Sequence, residues 1–213
     1  MIKAVCFDLN KTLISENTWL NLNLKMGMTQ VEDDVLFGFH QEGVITSSMW
    51  YDIIENIYRS RGNPNRKRIE SVCRKYTYNP GAQQVIKYLQ KKGYEIILIS
   101  GSLQMLVEII AKENNIKYAK ATNKFTFNKR GEYIGLNIDE ADNIDETHKK
   151  LILLKEICKK IGISLSECAC IGDGDNDLSL FEATGKGVTF RGSQIEEYAW
   201  KVIDNLQDIK KFL

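Results

Sequence analysis

The chain has 213 residues, with 29 Lys and Arg against 28 Asp and Glu, a formal net charge of +1. That balance leaves no bulk field to hold a nucleic acid or an anionic membrane. A hydrophobic share of 43% with 27% charged residues excludes disordered and fibrous classes and suits one ample domain, or a core domain with an insert.

No apolar run approaches the roughly 18–20 residues of a membrane span. The opening stretch meets Asp8 too early for a signal peptide. The five cysteines, Cys6, Cys73, Cys158, Cys168 and Cys170, are odd in number, and Cys168-Ala169-Cys170 lacks the spacing of zinc ribbons or redox pairs. They read as free thiols in a reducing cytoplasm.

The first apolar run, residues 2–7, leads into Asp8-Leu9-Asn10-Lys11-Thr12. Asp8 and Ser100 lie 92 residues apart, where a βαβ unit needs only about 30. The excess predicts an insertion over 15–78. Its apolar spacing is helical at Val31, Val35, Leu36 and Phe39, then at Trp50, Ile53, Ile54, Ile57 and Tyr58, with a break at Gly62-Asn63-Pro64. The basic Arg66-Lys67-Arg68 reads as a solvated helix face.

A second run, Glu95 to Ile99, leads into Ser100-Gly101-Ser102, with helical periodicity on either side at Val85, Ile86 and Leu89 and at Leu106, Ile109 and Ile110. Alternation around Asn128-Lys129-Arg130-Gly131 predicts a β-hairpin. Leu151, Leu154, Ile157, Cys158 and Ile161 then mark a helix before a third run, residues 167–171, which ends in Gly172-Asp173-Gly174-Asp175-Asn176-Asp177. Short continuous apolar runs alternating with helices predict an α/β fold, a Rossmann-like parallel sheet covered by helices. In such a sheet ligands gather beyond the carboxyl ends of the strands, where all three polar clusters fall.

Three carboxylates in five residues repel one another unless a cation intervenes, and hard oxygen donors suit Mg²⁺ or Ca²⁺. Leu178 and Thr184 stand where an EF-hand loop needs Gly and Glu. Asp177 occupies the place of the third glycine of a dinucleotide fingerprint. A carboxylate nucleophile, further acids, hydroxyl and amide donors and a lysine at a helix start are together what phosphoryl transfer requires.

Asp8 with Thr12, Ser100-Gly101 at a strand end, a helix-borne lysine and Gly172-Asp173-Gly174-x-Asn176-Asp177, in that order, resemble the haloacid dehalogenase superfamily, and within it the phosphoserine-phosphatase-like branch. The resemblance runs from about Met1 to Leu213 and is weakest in the insert. It implies a core domain of 1–14 and 79–213 and a helical cap domain of 15–78. It implies a phosphatase of small phosphorylated metabolites. Asp8 would become an aspartyl phosphate, with Mg²⁺ on Asp8, the Asn10 carbonyl and Asp173, and Asp177 holding a metal-bound water. Ser100, Gly101 and Asn176 would bind substrate, and Lys150 or Lys149 would neutralise Asp8 and the phosphoryl group. Helical phase favours Lys150, which shares a face with Leu154, Ile157 and Ile161.

The pattern breaks at Asn10, where the family's phosphatases carry a second aspartate as general acid and base. An amide neither delivers nor accepts a proton at neutral pH. Three readings stay open: an introduced substitution that traps substrate, a slow phosphatase for good leaving groups, or a protein that binds phosphate without turnover. The last shades into a phospho-acceptor regulatory module, since receiver domains resemble this site. A second departure lies in the insert. Asn17 and Ile54 stand where phosphoserine phosphatases use Glu and Arg, with Glu16 and Arg59 off register. Trp19, Phe37, Trp50 and Tyr51 suggest a more aromatic pocket, or packing between cap and core. The oligomeric state and the physiological substrate are not legible.

Overall fold

A computed structural model describes residues 1–137 and 146–213. Six parallel strands form the main sheet: β1 (Ala4–Phe7), β2 (Glu95–Leu103), β3 (Tyr118–Asn123), β6 (Cys168–Ile171), β7 (Gly187–Phe190) and β8 (Lys201–Ile203). Their order is β3-β2-β1-β6-β7-β8. A separate antiparallel hairpin joins β4 (Phe125–Phe127) to β5 (Tyr133–Leu136). The fold is α/β and Rossmann-like, with the hairpin where the turn residues predict it.

Alternate residues of β1 point to opposite faces, as a pleated strand dictates. Val5 and Phe7 join an apolar cluster with Val85, Ile86 and Leu89 of α5 (Ala82–Lys91) and Leu106, Val107 and Ile110 of α6 (Gln104–Glu113). Ala4 and Cys6 join a second with Leu154 and Ile157 of α7 (Glu146–Ile161) and Leu180 and Phe181 of α8 (Leu178–Thr184). Each fully buried Leu, Ile or Phe contributes about 1.5–3 kcal/mol relative to exposure, so a sheet covered on both faces is heavily anchored. All five cysteines are free and buried, and burial pushes the Cys73 thiol up to about 12, which leaves it protonated and unreactive.

Between β1 and β2 the chain builds α1 (Thr18–Lys25), α2 (Gln30–Gln41), α3 (Ser47–Ile57) and α4 (Arg66–Cys73). It leaves and returns at one place: Ile14 bridges Tyr78, the Ser15 N–H donates to Thr77 O, and the Asn79 N–H donates to Leu13 O. The hairpin braces these helices, because Glu55 of α3 accepts from the Tyr133 hydroxyl and from the Leu136 N–H.

One expectation needs correction. The polar run Ser100-Gly101-Ser102 does not follow the second strand but lies within it, since β2 continues to Leu103 with a register shift between Ser100 and Leu103. α2 forms where the apolar spacing predicts a helix, but most of its apolar residues face outward. Leu36 is buried, but Val31 is 71% exposed and Val35 and Phe39 are also exposed. The helix lies on the outside, held by a capping box between Thr29 and Glu32 and by the Glu32–Arg61 ion pair. Arg66 and Lys67 are exposed as expected, whereas Arg68 is half-buried and donates to Lys25 O. Among the described residues, no helix is long and apolar enough to cross a membrane.

Candidate active site

In this strand order the chain reverses direction across the sheet between β1 and β6, and a crevice opens there at the carboxyl ends. Phe7 pairs with Ile171, and the Asp8 N–H donates to Ile171 O at 2.8 Å. Asp8 and the Gly172–Asp177 loop therefore emerge side by side. The loop folds back tightly, with the Asp177 N–H on Gly174 O at 2.9 Å. Glycine is required at 172, where a Cβ would come within 2.2 Å of Asp177 Oδ2.

The structure brings Asp8, Asp173 and Asp177 together, with one oxygen of each within 4.8 Å of the others. Lys150, on α7, reaches into this group with no exposed surface. Its ammonium donates to Asp8 Oδ1 at 2.7 Å, Asp177 Oδ1 at 2.8 Å and Asn176 Oδ1 at 3.1 Å. Lys149, one residue earlier, is only half-buried, in keeping with the helical phase.

Three carboxylates against one buried ammonium leave excess negative charge. Burial pushes the Asp8 carboxyl up to about 8; Lys150 opposes the rise, and the charge on Asp177 adds to it. Asp173 is raised as well, by burial and then by Asp177, against the Thr12 hydroxyl and Lys11. A compact set of hard oxygen donors with surplus charge fits a divalent metal ion.

Several contacts that hold this centre escaped the sequence reading. The Thr12 hydroxyl donates to Asp173 Oδ1 at 3.1 Å, and the Ser193 hydroxyl donates to Asp173 O at 2.9 Å. The Asn79 amide donates to the carbonyls of Lys11 and Thr12 at 3.0 and 2.8 Å, pinning the turn where Lys11 takes φ 58°. Asn10 accepts from the Thr18 hydroxyl at 2.6 Å, which ties the loop after β1 to the first turn of α1.

Ser100 is buried, and its hydroxyl accepts from the Ser102 N–H at 3.1 Å. Gly101 O accepts from Trp19 Nε1 at 3.0 Å and Asn123 Nδ2 at 2.9 Å. The peptide after Gly101 is thus held at both ends. Of the off-register pair, Glu16 accepts from the Thr77 N–H and Arg59 donates to Ile134 O; Ile54 is buried in the core.

With this geometry in view, the comparisons with known proteins are direct. The model of the haloacid dehalogenase-like hydrolase family matches residues 5–182. The chain belongs to that family. Within the haloacid dehalogenase-like hydrolases it lies on the phosphoserine-phosphatase-like branch and is a phosphatase. It is 25% identical over 213 residues to the phosphoserine phosphatase of Methanocaldococcus jannaschii, spanning 99% of this chain and 96% of that one. It is 25% identical over 207 residues to the Bos taurus phosphoserine phosphatase, across 96% and 87% of the two chains. The solved structure of a phospho-aspartyl intermediate analogue of phosphoserine phosphatase superposes with a TM-score of 0.78 at 26% identity, covering 100% of this chain and 99% of the other.

Proposed function

We propose that this haloacid dehalogenase-like hydrolase is a Mg²⁺-dependent phosphatase of a small phosphorylated metabolite, slowed by Asn10. The observation that carries the reading is the buried Lys150 ammonium between Asp8 and Asp177, which holds a nucleophilic carboxylate against a cation at the switch point of the sheet. Asp8, Asp173 and the Asn10 carbonyl would hold Mg²⁺, and Asp177 would act through a bound water. When bound, the ion neutralises charge on the transferring phosphoryl group. The helices of residues 15–78 serve as a cap over a core of 1–14 and 79–213, a span that includes 138–145, which lie outside the described residues.

The chain's own part in the reaction follows. The Asp8 carboxylate attacks phosphorus, the bond from phosphorus to the alcohol oxygen breaks, and an aspartyl phosphate forms. Ser100 and the Gly101 N–H bind phosphoryl oxygens, and Lys150 balances the charge on both partners. Asn176, hydrogen-bonded to Lys150, borders the same place. With an amide at residue 10, water must protonate the departing alkoxide, and no side chain there activates the water that cleaves the acyl phosphate. Intact-mass measurement after incubation with Mg²⁺ and an activated aryl phosphate should find a phosphoryl adduct, mapped to Asp8, that decays slowly to free enzyme. An adduct that never forms would overturn the reading; one that never decays would make the protein a phospho-acceptor.

The metal assignment makes its own prediction. Ligand carboxylates must lose their protons to bind a cation, so acid weakens binding. Because Asp8 is pushed up to about 8, Mg²⁺ should raise Tm more at pH 8 than at pH 6, since a ligand that binds only the folded state stabilises in proportion to its affinity. Equal shifts at both pH values would show that Asp8 is already ionised at pH 6 and would overturn its raised value.

A further inference from the structure

Beside the candidate active site the helices enclose a cavity of about 300 Å³. Trp19, Trp50 and Tyr51 form aromatic walls, with ring centroids 5.0–6.4 Å apart and planes crossing at 41–85°. Asp33 and Asp34 of α2 also line it. Asp33 is fixed, because Asn23 Nδ2 donates to its Oδ1 at 2.5 Å and the buried Tyr58 hydroxyl donates to Asn23. Among the described residues no Lys or Arg lines the cavity, and His40, whose pKa burial lowers, is neutral at pH 7.

The cavity adjoins the reacting centre through its own walls. Trp19 and Asn123 line it, and both donate to Gly101 O. Thr18, between Asn17 and Trp19 in the chain, holds Asn10. Trp19 and Asn123 thus join the cavity wall to the strand that carries Ser100.

Aromatic faces attract a cation through the ring quadrupole, and the attraction is greater for a weakly hydrated alkylammonium in a desolvated place. Two carboxylates add to it, whereas a bound carboxylate would find no cationic partner. We propose that this cavity selects the phosphomonoester of a small alcohol bearing an alkylammonium group. The inference rests on the phosphatase reading for its chemistry and on the cavity for its ligand class.

The test compares choline phosphate with 3,3-dimethylbutyl phosphate, the uncharged isostere, and with phosphoserine, by calorimetry on the Mg²⁺-loaded protein. Choline phosphate should bind at least tenfold more tightly than either. Asp34→Asn removes one charge at an exposed position of α2 and should cut the preference over the isostere at least twofold; Trp50→Leu should cut it further. Equal affinity for the charged and uncharged esters, or tighter binding of phosphoserine, would overturn the inference whatever the turnover. Turnover of p-nitrophenyl phosphate is measured in parallel. Its absence in both the parent protein and Asn10→Asp would overturn the phosphatase reading and leave the preference of the cavity standing.

Discussion

With Mg²⁺ and an activated aryl phosphate, Asn10→Asp should turn over at least about tenfold faster than the parent protein, a modest demand beside the roughly 10²–10⁴-fold that a positioned general acid and base contributes. Asn10 already stands beside Asp8 at the end of β1, held by the Thr18 hydroxyl at 2.6 Å. That hydroxyl can donate to a carboxylate as well as to an amide, so the substitution can keep the hydrogen bond while adding an ionisable group. The gain should be largest for alkyl esters, whose alkoxides need a proton to leave, and smallest for aryl esters. Lifetime of the phosphoryl adduct should shorten in the same variant. A variant that binds Mg²⁺ normally and gains no rate would show that the slow step lies elsewhere and would end the general-base account.

Lys150→Met is expected to remove activity by about 10²–10³-fold or more, the usual cost of losing a group aimed at developing charge. It should also destabilise the fold. The ammonium is wholly buried and faces two carboxylates, and breaking a buried pair by removing one partner costs about 3–5 kcal/mol. For a chain of this size that is a fall in Tm of roughly 6–20 °C. The pH dependence has a definite sign. Asp8 is raised above its unfolded value to about 8, so between those values the folded state holds more protons and metal-free stability falls as pH rises. Without Lys150 the slope steepens, and the Tm deficit should be larger at pH 8 than at pH 6. A deficit independent of pH would mean that the lysine supports the helix rather than the carboxylates.

How much of this was legible in the sequence depended on whether the signal was local. Strands buried on both faces are continuous apolar runs, so β1 and β6 and the acids that follow them were plain. Lys150 was legible because helical phase separates it from Lys149, and burial follows phase. The bonds made by Thr18, Trp19, Asn79, Asn123 and Ser193 were not legible. Most reach a partner far along the chain, as Trp19 does on Gly101 and Asn123 does from the end of β3, and no periodicity announces such a bond. In β2 the polar residues misled, because Ser100 and Ser102 are buried within a strand that polarity alone would end. In α2 apolar spacing gave the helix but not its buried side, because only Leu36 finds the core while Val31, Val35 and Phe39 face outward.

The first turn of α1 has a consequence for protein engineering. Residues 17–19 lie in succession along the cavity wall, against the loop that follows β1 and on β2. A chimera that imports a foreign helical segment from residue 15 onward would replace the chemistry's own supports along with the specificity it means to exchange. A graft that begins after Lys25 would carry over a new recognition surface and leave the inherited catalytic wiring intact.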